Sequence, residues 1–409
     1  MLVLCSFIIV QAQSEKDFVK ENLAFCNTQL YGMLADKSLQ TNKFPRTTNA
    51  KGELTSTSMY DWTPGFFPGS LWYGYEFSKY ESLKDAAIKW TEKLEPLQTF
   101  TGHHDLGFMM YCSYGNAYRL TNNESYKNIL IRSAKALSTR FNSKIGCIKS
   151  WNSFKSFHGD KTYNFPVIID NMMNLEMLFF ASKVSGDPTY RNVAVTHALT
   201  TMKNHFRPDY SSYHVVCYDS VSGKVETREA AQGYADNSTW ARGQAWAIYG
   251  FTMTYRETKD PRFLKTAKGL AKYFINNKNL PSDYIPIWDF NAWQKGYIPG
   301  GNSNAPNIPV LYRDASAAAI TASALLELST CTTGDEAKQF KNAAVKMLHS
   351  LGSVAYRAKA GNNGNFILMH SVGSIPHNNE IDVPLVYADY YFIEALLRYE
   401  KLLDGKKLF

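Results

Sequence analysis

A short pattern that recurs along the chain constrains its fold more than any other feature. In each copy a turn is followed by an aromatic residue and then by an alanine-rich stretch. Two clear copies begin at Asp187-Pro188 and Asp260-Pro261, a third begins at Asn123, and looser copies begin near Tyr80 and Gly334. Asp is a preferred helix cap and Pro is tolerated at the first helical position, so the copies predict amphipathic helices built as repeats.

A second set of helical segments alternates with these copies. These segments are apolar nearly all round and contain Gly and Ala, which is typical of buried helices. They span roughly residues 66–77, 107–120, 171–184, 243–256, 315–328 and 388–403, and residues 15–34 supply a twelfth helix. Six inner helices alternating with six outer ones predict an all-α fold, an (α/α)₆ toroid in which the terminal helices meet. An open α-solenoid has the same packing between neighbours and is the alternative.

The first residues of the chain have the character of a targeting segment. Residues 2–10 are almost wholly apolar, and Val10-Gln11-Ala12 resembles a small-residue cleavage pattern. We therefore interpret residues 1–12 as the remnant of a signal peptide and residues 13–409 as a single domain. This predicts a periplasmic or secreted bacterial protein. The apolar stretch is too short to span a bilayer, and no later stretch is long and apolar enough.

Charge and cysteine usage narrow the possible partners. The formal net charge is +8, but the Lys and Arg residues are scattered, which disfavours nucleic acid and favours a small polyanionic substrate. The cysteines are widely spaced without a C-x-x-C, which disfavours zinc and a disulfide framework. His103 and His104 lack further ligands at suitable spacing, so we predict neither a metal nor a cofactor. The oligomeric state is not predicted.

Four residues that open inner helices share one register. Each stands 20 or 21 positions before the aromatic or apolar residue that marks the next outer helix, and they are Trp62, Asp105, Asp170 and Arg242. In a toroid such residues lie at the same end, around one axis. A lone Asp at a helix start is usually a cap, but two carboxylates in one register favour acid–base catalysis. We therefore expect one cleft that contains two carboxylates, a guanidinium and an indole.

Five blocks of sequence resemble glycoside hydrolase family 88. They occur in the family's order over nearly the whole chain, and they are Trp62–Gly69, His103–Phe108, Ile169–Asn174, Trp240–Trp246 and Asp382–Tyr391. The resemblance implies a glycosidase that removes the 4,5-unsaturated uronic acid from the non-reducing end of oligosaccharides left by polysaccharide lyases. Such an unsaturated uronate oligosaccharide is the expected partner, and its parent polysaccharide, glycosaminoglycan or other, stays open.

The same resemblance implies roles for individual residues. Asp170 is the implied general acid and base, with Asp105 beside it. The implied substrate contacts are Trp62, His104, Trp151, His214, Gln232, Trp240, Arg242 and Trp246. A guanidinium can hold a carboxylate bidentately, so we expect Arg242 to bind the uronate. Ser371 and Ser374 match part of a loop that contacts sulfate in some members, but the Lys of that loop is absent and Ile375-Pro376-His377 stands there.

Three other classes of protein remain as alternatives. A sugar epimerase on the same toroid would need two histidines on opposite sides of a sugar carbon. A polysaccharide lyase would use a Tyr–His pair, for which Tyr213 and His214 are candidates. A non-catalytic oligosaccharide-binding protein would keep the tryptophans but would not need two carboxylates at one end of the barrel.

Overall fold

The computed structural model describes residues 2–40 and 42–409, with side chains described from Gln13 onward. Twelve α-helices lie in these residues. In chain order they are α1 (Leu2–Ala35), α2 (Phe66–Ser78), α3 (Glu81–Glu92), α4 (Asn116–Thr121), α5 (Glu124–Ser138), α6 (Leu175–Ser185), α7 (Pro188–Asn204), α8 (Ala241–Thr258), α9 (Pro261–Ile275), α10 (Ala315–Thr330), α11 (Gly334–Leu351) and α12 (Val386–Leu403). The even-numbered helices form an inner ring, and the odd-numbered helices pack around it.

The predicted capping residues begin three of the outer helices. The side chain of Asp187 accepts a hydrogen bond from the Thr189 amide at the start of α7, and Asp260 does the same at the start of α9. Asn123 caps α5 through the amide of Ser125. Each cap satisfies an amide that the first helical turn leaves without a partner, which is why the repeated turn fixes where these helices begin.

The inner ring is closed. Neighbouring inner helices pack against one another from α8 through α10 to α12, and α12 packs against α2, the first member of the ring. Helix α1 covers this junction from outside by contacting both α12 and α2. Every residue from Ala315 to Leu328 of α10 is buried, whereas the outer helices bury one face each. The toroid is therefore confirmed, and the open solenoid is wrong.

Two inner positions depart from the uninterrupted helices that the sequence predicts. Residues Gly107–Gly115 form π-helical turns before α4, and residues Ile169–Asn174 form a 3₁₀ helix before α6. Gly107 passes so close to Asn174 that a Cβ atom has no room there. Irregular turns of this kind are frequent at functional sites, and here they directly follow Asp105 and enclose Asp170.

Short antiparallel hairpins connect the helices, and the all-α prediction does not include them. The strands are β1 (Phe44–Thr48), β2 (Leu54–Thr57), β3 (Phe141–Asn142), β4 (Cys147–Ile148), β5 (Phe154–Lys155), β6 (Thr162–Tyr163), β7 (Pro166–Ile168), β8 (Val215–Tyr218), β9 (Val225–Glu229), β10 (Ser371–Ser374) and β11 (Asn379–Val383). Strands β7, β8 and β9 form one sheet, with Ile168 opposite Val215 and Val215 opposite Glu229. This sheet brings the residue before β8, His214, beside Asp170, which closely follows β7.

The N-terminal prediction falls at the edge of what the structure describes. The predicted signal-peptide remnant, residues 1–12, lies outside the residues whose side chains are described, so it stays a prediction. Across residues 2–40 and 42–409, no helix is long and apolar enough to cross a membrane.

Candidate active site

A cleft of about 440 Å³ opens at one end of the toroid. Trp62, Asp105, Asp170 and Arg242 all line it, so the four residues in one register do converge as their spacing predicts. They come from four different inner-helix starts, and each is carried to the same end by the same helical repeat. The remaining lining residues are His104, Trp151, Ser153, Phe154, Lys155, Ile168, Ala231, Gln232, Ser374, His377 and Asn379.

Asp170 is held in a largely dry environment. Its residue surface is 8% exposed, and its Oδ2 atom has no hydrogen-bond partner among the described residues. Burial raises the pKa of Asp170 to about 7, while Arg242 lowers it and the charge of Asp105 raises it. A carboxyl group with this pKa keeps a proton at neutral pH and can also give it up, as a residue acting first as an acid and then as a base requires.

Asp105 is shifted in the opposite direction. Its Oδ2 atom lies 2.9 Å from His103 Nδ1, and its Oδ1 atom lies 3.2 Å from His104 Nε2. Burial raises the pKa of Asp105, but the two imidazoles outweigh it and hold that pKa below its ordinary value. Burial lowers the pKa of His104 to about 4, so its ring is neutral near neutral pH, whereas Asp105 outweighs burial at His103 and raises the pKa of that ring. The cleft thus pairs a protonated carboxyl with an ionised one.

His214 has a defined tautomer. Its Nδ1 atom accepts hydrogen bonds from the amides of Ala231 and Gln232, at 3.1 and 3.0 Å. Burial lowers the pKa of His214 well below its ordinary value, so the neutral ring carries its one proton on Nε2, 3.7 Å from Asp170 Oδ2. His214 does not line the cleft, and it faces Asp170 from behind.

Arg242 already has partners for both of its terminal nitrogens. Nη1 lies 3.0 Å from Asp314 Oδ2 and donates to the carbonyl of Val372, and Nη2 donates to the carbonyl of Gly373 at 2.6 Å. The residue is 1% exposed, and its Nε atom has no hydrogen-bond partner among the described residues. A guanidinium has more N–H groups than these contacts use, so Nε–H and the second hydrogen of Nη2 remain as donors, and the grip on a uronate carboxylate stays a prediction. Arg242 also ties the start of α8 to α10 and to strand β10.

Two of the four predicted tryptophan contacts reach the cleft. Trp62 and Trp151 line it, and Trp62 packs against Tyr387 with ring centroids 4.8 Å apart. Trp240 and Trp246 are buried behind the lining. The face of Trp240 lies 4.4 Å from the Arg242 guanidinium, so this indole supports a lining residue.

Both the sequence and the fold of this chain match known proteins. The family model described as Glycosyl Hydrolase Family 88 matches residues 36–277. The chain belongs to this family. An unsaturated glucuronyl hydrolase of Formosa agariphila is 47% identical over 364 residues, covering 88% of this chain and 86% of the relative. One from a Bacillus species is 32% identical, covering 89% of this chain and 93% of the relative.

Solved structures show the same toroid. The structure of an unsaturated glucuronyl hydrolase specific for heparin matches this hydrolase with a TM-score of 0.86 and 45% identity, covering 96% of this chain and 99% of the other. A second, from Bacillus, matches with a TM-score of 0.83 and 29% identity, covering 94% of this chain and 97% of the other. The fold class and the assignment as a glycosidase are confirmed.

The two predicted serines of this family 88 hydrolase differ in access. Ser374 lines the cleft, and its Oγ atom lies 2.7 Å from His377 Nδ1. Ser371 is fully buried, is not among the lining residues, and has no hydrogen-bond partner for its Oγ among the described residues. The packing of β10 thus separates Ser371 from the cleft lining, and contact with substrate stays a prediction for both serines.

Several residues that line the cleft of the hydrolase are not predicted from the sequence. Ser153 and Lys155 lie at β5, Asn379 begins β11, and His377 lies in the turn before it. None belongs to a helical repeat, so no periodic signal marks them. His377 alone stood out, as a departure from the sulfate-contacting loop of the family.

The structure does not place the Tyr–His pair of the lyase alternative in the cleft. Tyr213 does not line the cleft, and its ring lies 3.9 Å from the Arg207 guanidinium, so no Tyr213–His214 pair faces the substrate space as a lyase would need. Within residues 2–40 and 42–409, no group of three or more His, Cys, Asp or Glu side chains is placed to hold a metal ion.

Proposed function

We propose that this hydrolase removes the 4,5-unsaturated uronic acid from the non-reducing end of lyase-generated oligosaccharides by adding water across the C4=C5 double bond. One observation carries the mechanism: Asp170 is a buried carboxyl with a pKa of about 7 beside an ionised carboxylate. The relatives described above, each named an unsaturated glucuronyl hydrolase, support the choice of substrate.

The chemistry starts from the electron-rich double bond of the substrate. The C4=C5 bond together with the ring oxygen is a vinyl ether, which takes a proton at C4. Asp170 donates that proton, and the positive charge spreads over C5 and the ring oxygen. The ionised Asp170 then removes a proton from water as the water oxygen bonds to C5. The resulting hemiketal opens to a ketone at C5 and a hemiacetal at C1, which releases the alcohol of the next sugar.

Asp105 has a different part in this scheme. Its carboxylate stays ionised and stabilises the developing positive charge by electrostatic attraction. It also raises the pKa of Asp170, which keeps the acid protonated at neutral pH. The scheme differs from the usual glycosidase pair, in which one carboxyl protonates the leaving oxygen and attack occurs at the anomeric carbon. It also predicts a rate that falls as the pH rises through about 7.

The size and lining of the cleft are consistent with a small sugar substrate. A volume of about 440 Å³ is in the range of sites for small ligands, and the Trp62 and Trp151 rings offer apolar faces to sugar C–H groups. Among the relatives, one structure is of an enzyme specific for heparin, and three proteins are named unsaturated chondroitin disaccharide hydrolases. We therefore propose unsaturated disaccharides of the heparin type and of the chondroitin type as candidate substrates, each in its sulfated and unsulfated forms.

Ultraviolet absorbance of the conjugated double bond tests the proposal and separates the alternatives. The purified protein is incubated with a panel of unsaturated disaccharides and, separately, with intact polysaccharides. This hydrolase destroys the chromophore of at least one disaccharide. A lyase creates the chromophore from polysaccharide, and an epimerase or a binding protein leaves it unchanged, so either result contradicts the proposal.

Export is part of the same proposal. Polysaccharide lyases that act outside the cell membrane produce the expected substrates there, and the N-terminal pattern is of the exported type. Fractionation of the bacterium should recover the activity outside the cytoplasm. Activity confined to the cytoplasm contradicts this part of the proposal and leaves the chemistry unaffected.

A further inference from the structure

His103 lies behind the Asp105 carboxylate and is not one of the cleft-lining residues. Its Nδ1 atom lies 2.9 Å from Asp105 Oδ2, and its Nε2 atom lies 3.1 Å from the main-chain carbonyl oxygen of Tyr60. A carboxylate and a carbonyl can only accept hydrogen bonds. Each ring nitrogen of His103 therefore needs its own proton to make these two contacts.

The neutral forms of the ring fit this position poorly. An unprotonated Nδ1 would accept from the Asp105 amide at 3.3 Å, but it would also place a lone pair 2.9 Å from a carboxylate oxygen. An unprotonated Nε2 would face the Tyr60 carbonyl with no proton between them. The imidazolium satisfies both acceptors, and its ring edge packs against Phe100 with centroids 4.9 Å apart.

Three other groups set the charge around His103. Asp105 faces it directly, and His104 on the same loop is neutral because it is buried. Arg140 approaches from the neighbouring hairpin and opposes a second positive charge. Its guanidinium donates to the carbonyls of Thr101, Lys149 and Ser150 and to the side chain of Asn152, so it does not pair with Asp105. Burial lowers the pKa of His103, but Asp105 outweighs it and the pKa is raised.

We infer that His103 is a positioning residue whose imidazolium holds Asp105 ionised and fixed in orientation, so that the cleft keeps one ionised and one protonated carboxyl. The inference deepens the proposed function and rests on it. Two neighbouring carboxyls each raise the pKa of the other, so without the cation at His103 the Asp105 carboxylate would take up a proton at a higher pH than it does now. The charge of His103 thus helps Asp105 to stay ionised while Asp170, an otherwise identical carboxyl group, stays protonated.

The pH dependence of kcat/KM distinguishes this role from simple packing. In His103→Gln the amide keeps one donor but loses the charge, so the acidic limb, set by Asp105, should move up by about one pH unit. The basic limb, set by Asp170, should move up as well. His103→Lys restores a cation and should return both limbs toward their original positions. His349→Gln is the matched control, because His349 pairs with Glu15 at 3.0 Å on the outer ring, and its limbs should not move.

A second measurement does not depend on activity. Nitrogen-15 NMR of histidine-labelled protein, with His103→Gln identifying the signal, should show a predominantly doubly protonated ring at pH 6.5, where an ordinary imidazole is half protonated. A neutral His103 ring at that pH, or unmoved limbs in a folded His103→Gln protein, overturns the inference. Failure of the unaltered protein to consume any unsaturated disaccharide overturns the proposed function instead, and the NMR result still stands.

Discussion

His214 Nε2 lies 3.7 Å from Asp170 Oδ2, and two main-chain amides that donate to His214 Nδ1 leave the proton on the nitrogen that faces the carboxyl. One neutral ring thus connects the acid to the segment that contains Gln232, another lining residue. At this separation the N–H and the carboxyl do not form a hydrogen bond, so the ring contributes by packing behind Asp170 and by holding the amides of the segment around Gln232.

Replacing His214 by Phe should therefore affect both chemistry and substrate binding. The substitution keeps the ring volume but leaves the Ala231 and Gln232 amides without an acceptor, which costs about 1–3 kcal/mol for each buried group left unsatisfied. We expect kcat/KM to fall tenfold or more, with kcat lowered and KM raised, because the segment around Gln232 loses its anchor behind the acid. Steady-state kinetics on an unsaturated disaccharide check this. A folded variant with unchanged kcat/KM contradicts the connection.

Asp170→Asn should abolish most turnover while leaving a folded protein that still binds sugar. An amide cannot donate a proton to C4, and losing a general acid typically costs a factor on the order of a thousand. The matched control is Asp389→Asn, because Asp389 is another buried carboxyl whose pKa burial raises, to about 8, and it lies outside the cleft lining. Turnover and equilibrium binding should be measured on both. Near-normal turnover by Asp170→Asn refutes the assigned role.

The same substitution should stabilise the protein in a pH-dependent way. The pKa of Asp170 is about 7 in the fold and 3.8 as its ordinary value, so the folded protein holds this proton more tightly than the unfolded chain. Stability is then unaffected by this group below the unfolded pKa and is lost as pH rises from there toward 7. By pH 8 the loss is on the order of a few kcal/mol. Urea unfolding should show Asp170→Asn gaining more at pH 8 than at pH 5. An equal difference at both values contradicts the raised pKa.

Arg242 and Asp314 should behave as one unit in stability. Removing Arg242 leaves the Asp314 carboxylate buried without its ion-pair partner, which typically costs about 3–5 kcal/mol. We expect Arg242→Met and Asp314→Asn each to lower the free energy of unfolding, and the double variant to lose clearly less than their sum. A double-mutant cycle by urea unfolding measures this coupling. Additive losses would mean that the pair contributes nothing as a pair.

The repeat made the convergence of Trp62, Asp105, Asp170 and Arg242 predictable. Repeats of similar length in a closed ring bring equivalent repeat positions to one end, so the position of a residue within its repeat also predicts where it lies in the toroid. The resemblance to family 88 then supplied the chemistry. Neither source of information used a contact that is distant in sequence.

The repeat spacing does not predict the contacts made by β10. The partners of Arg242 include Asp314 and the carbonyl of Gly373, 131 positions away. The burial of Ser371 likewise depends on how β10 packs. The close approach of Gly107 to Asn174 is not predicted either, because the two residues are distant in sequence.

The order of two events during turnover tests the central claim most directly. Rapid-quench samples of one unsaturated disaccharide should be followed for loss of the conjugated chromophore and, separately, for release of the second sugar. Hydration at C4=C5 predicts that the chromophore is lost before or together with release, that a sulfur-linked analogue loses it too, and that deuterium from heavy water appears at C4. Release of a monosaccharide that still absorbs, with an inert sulfur-linked analogue, would show attack at the anomeric carbon and contradict the account.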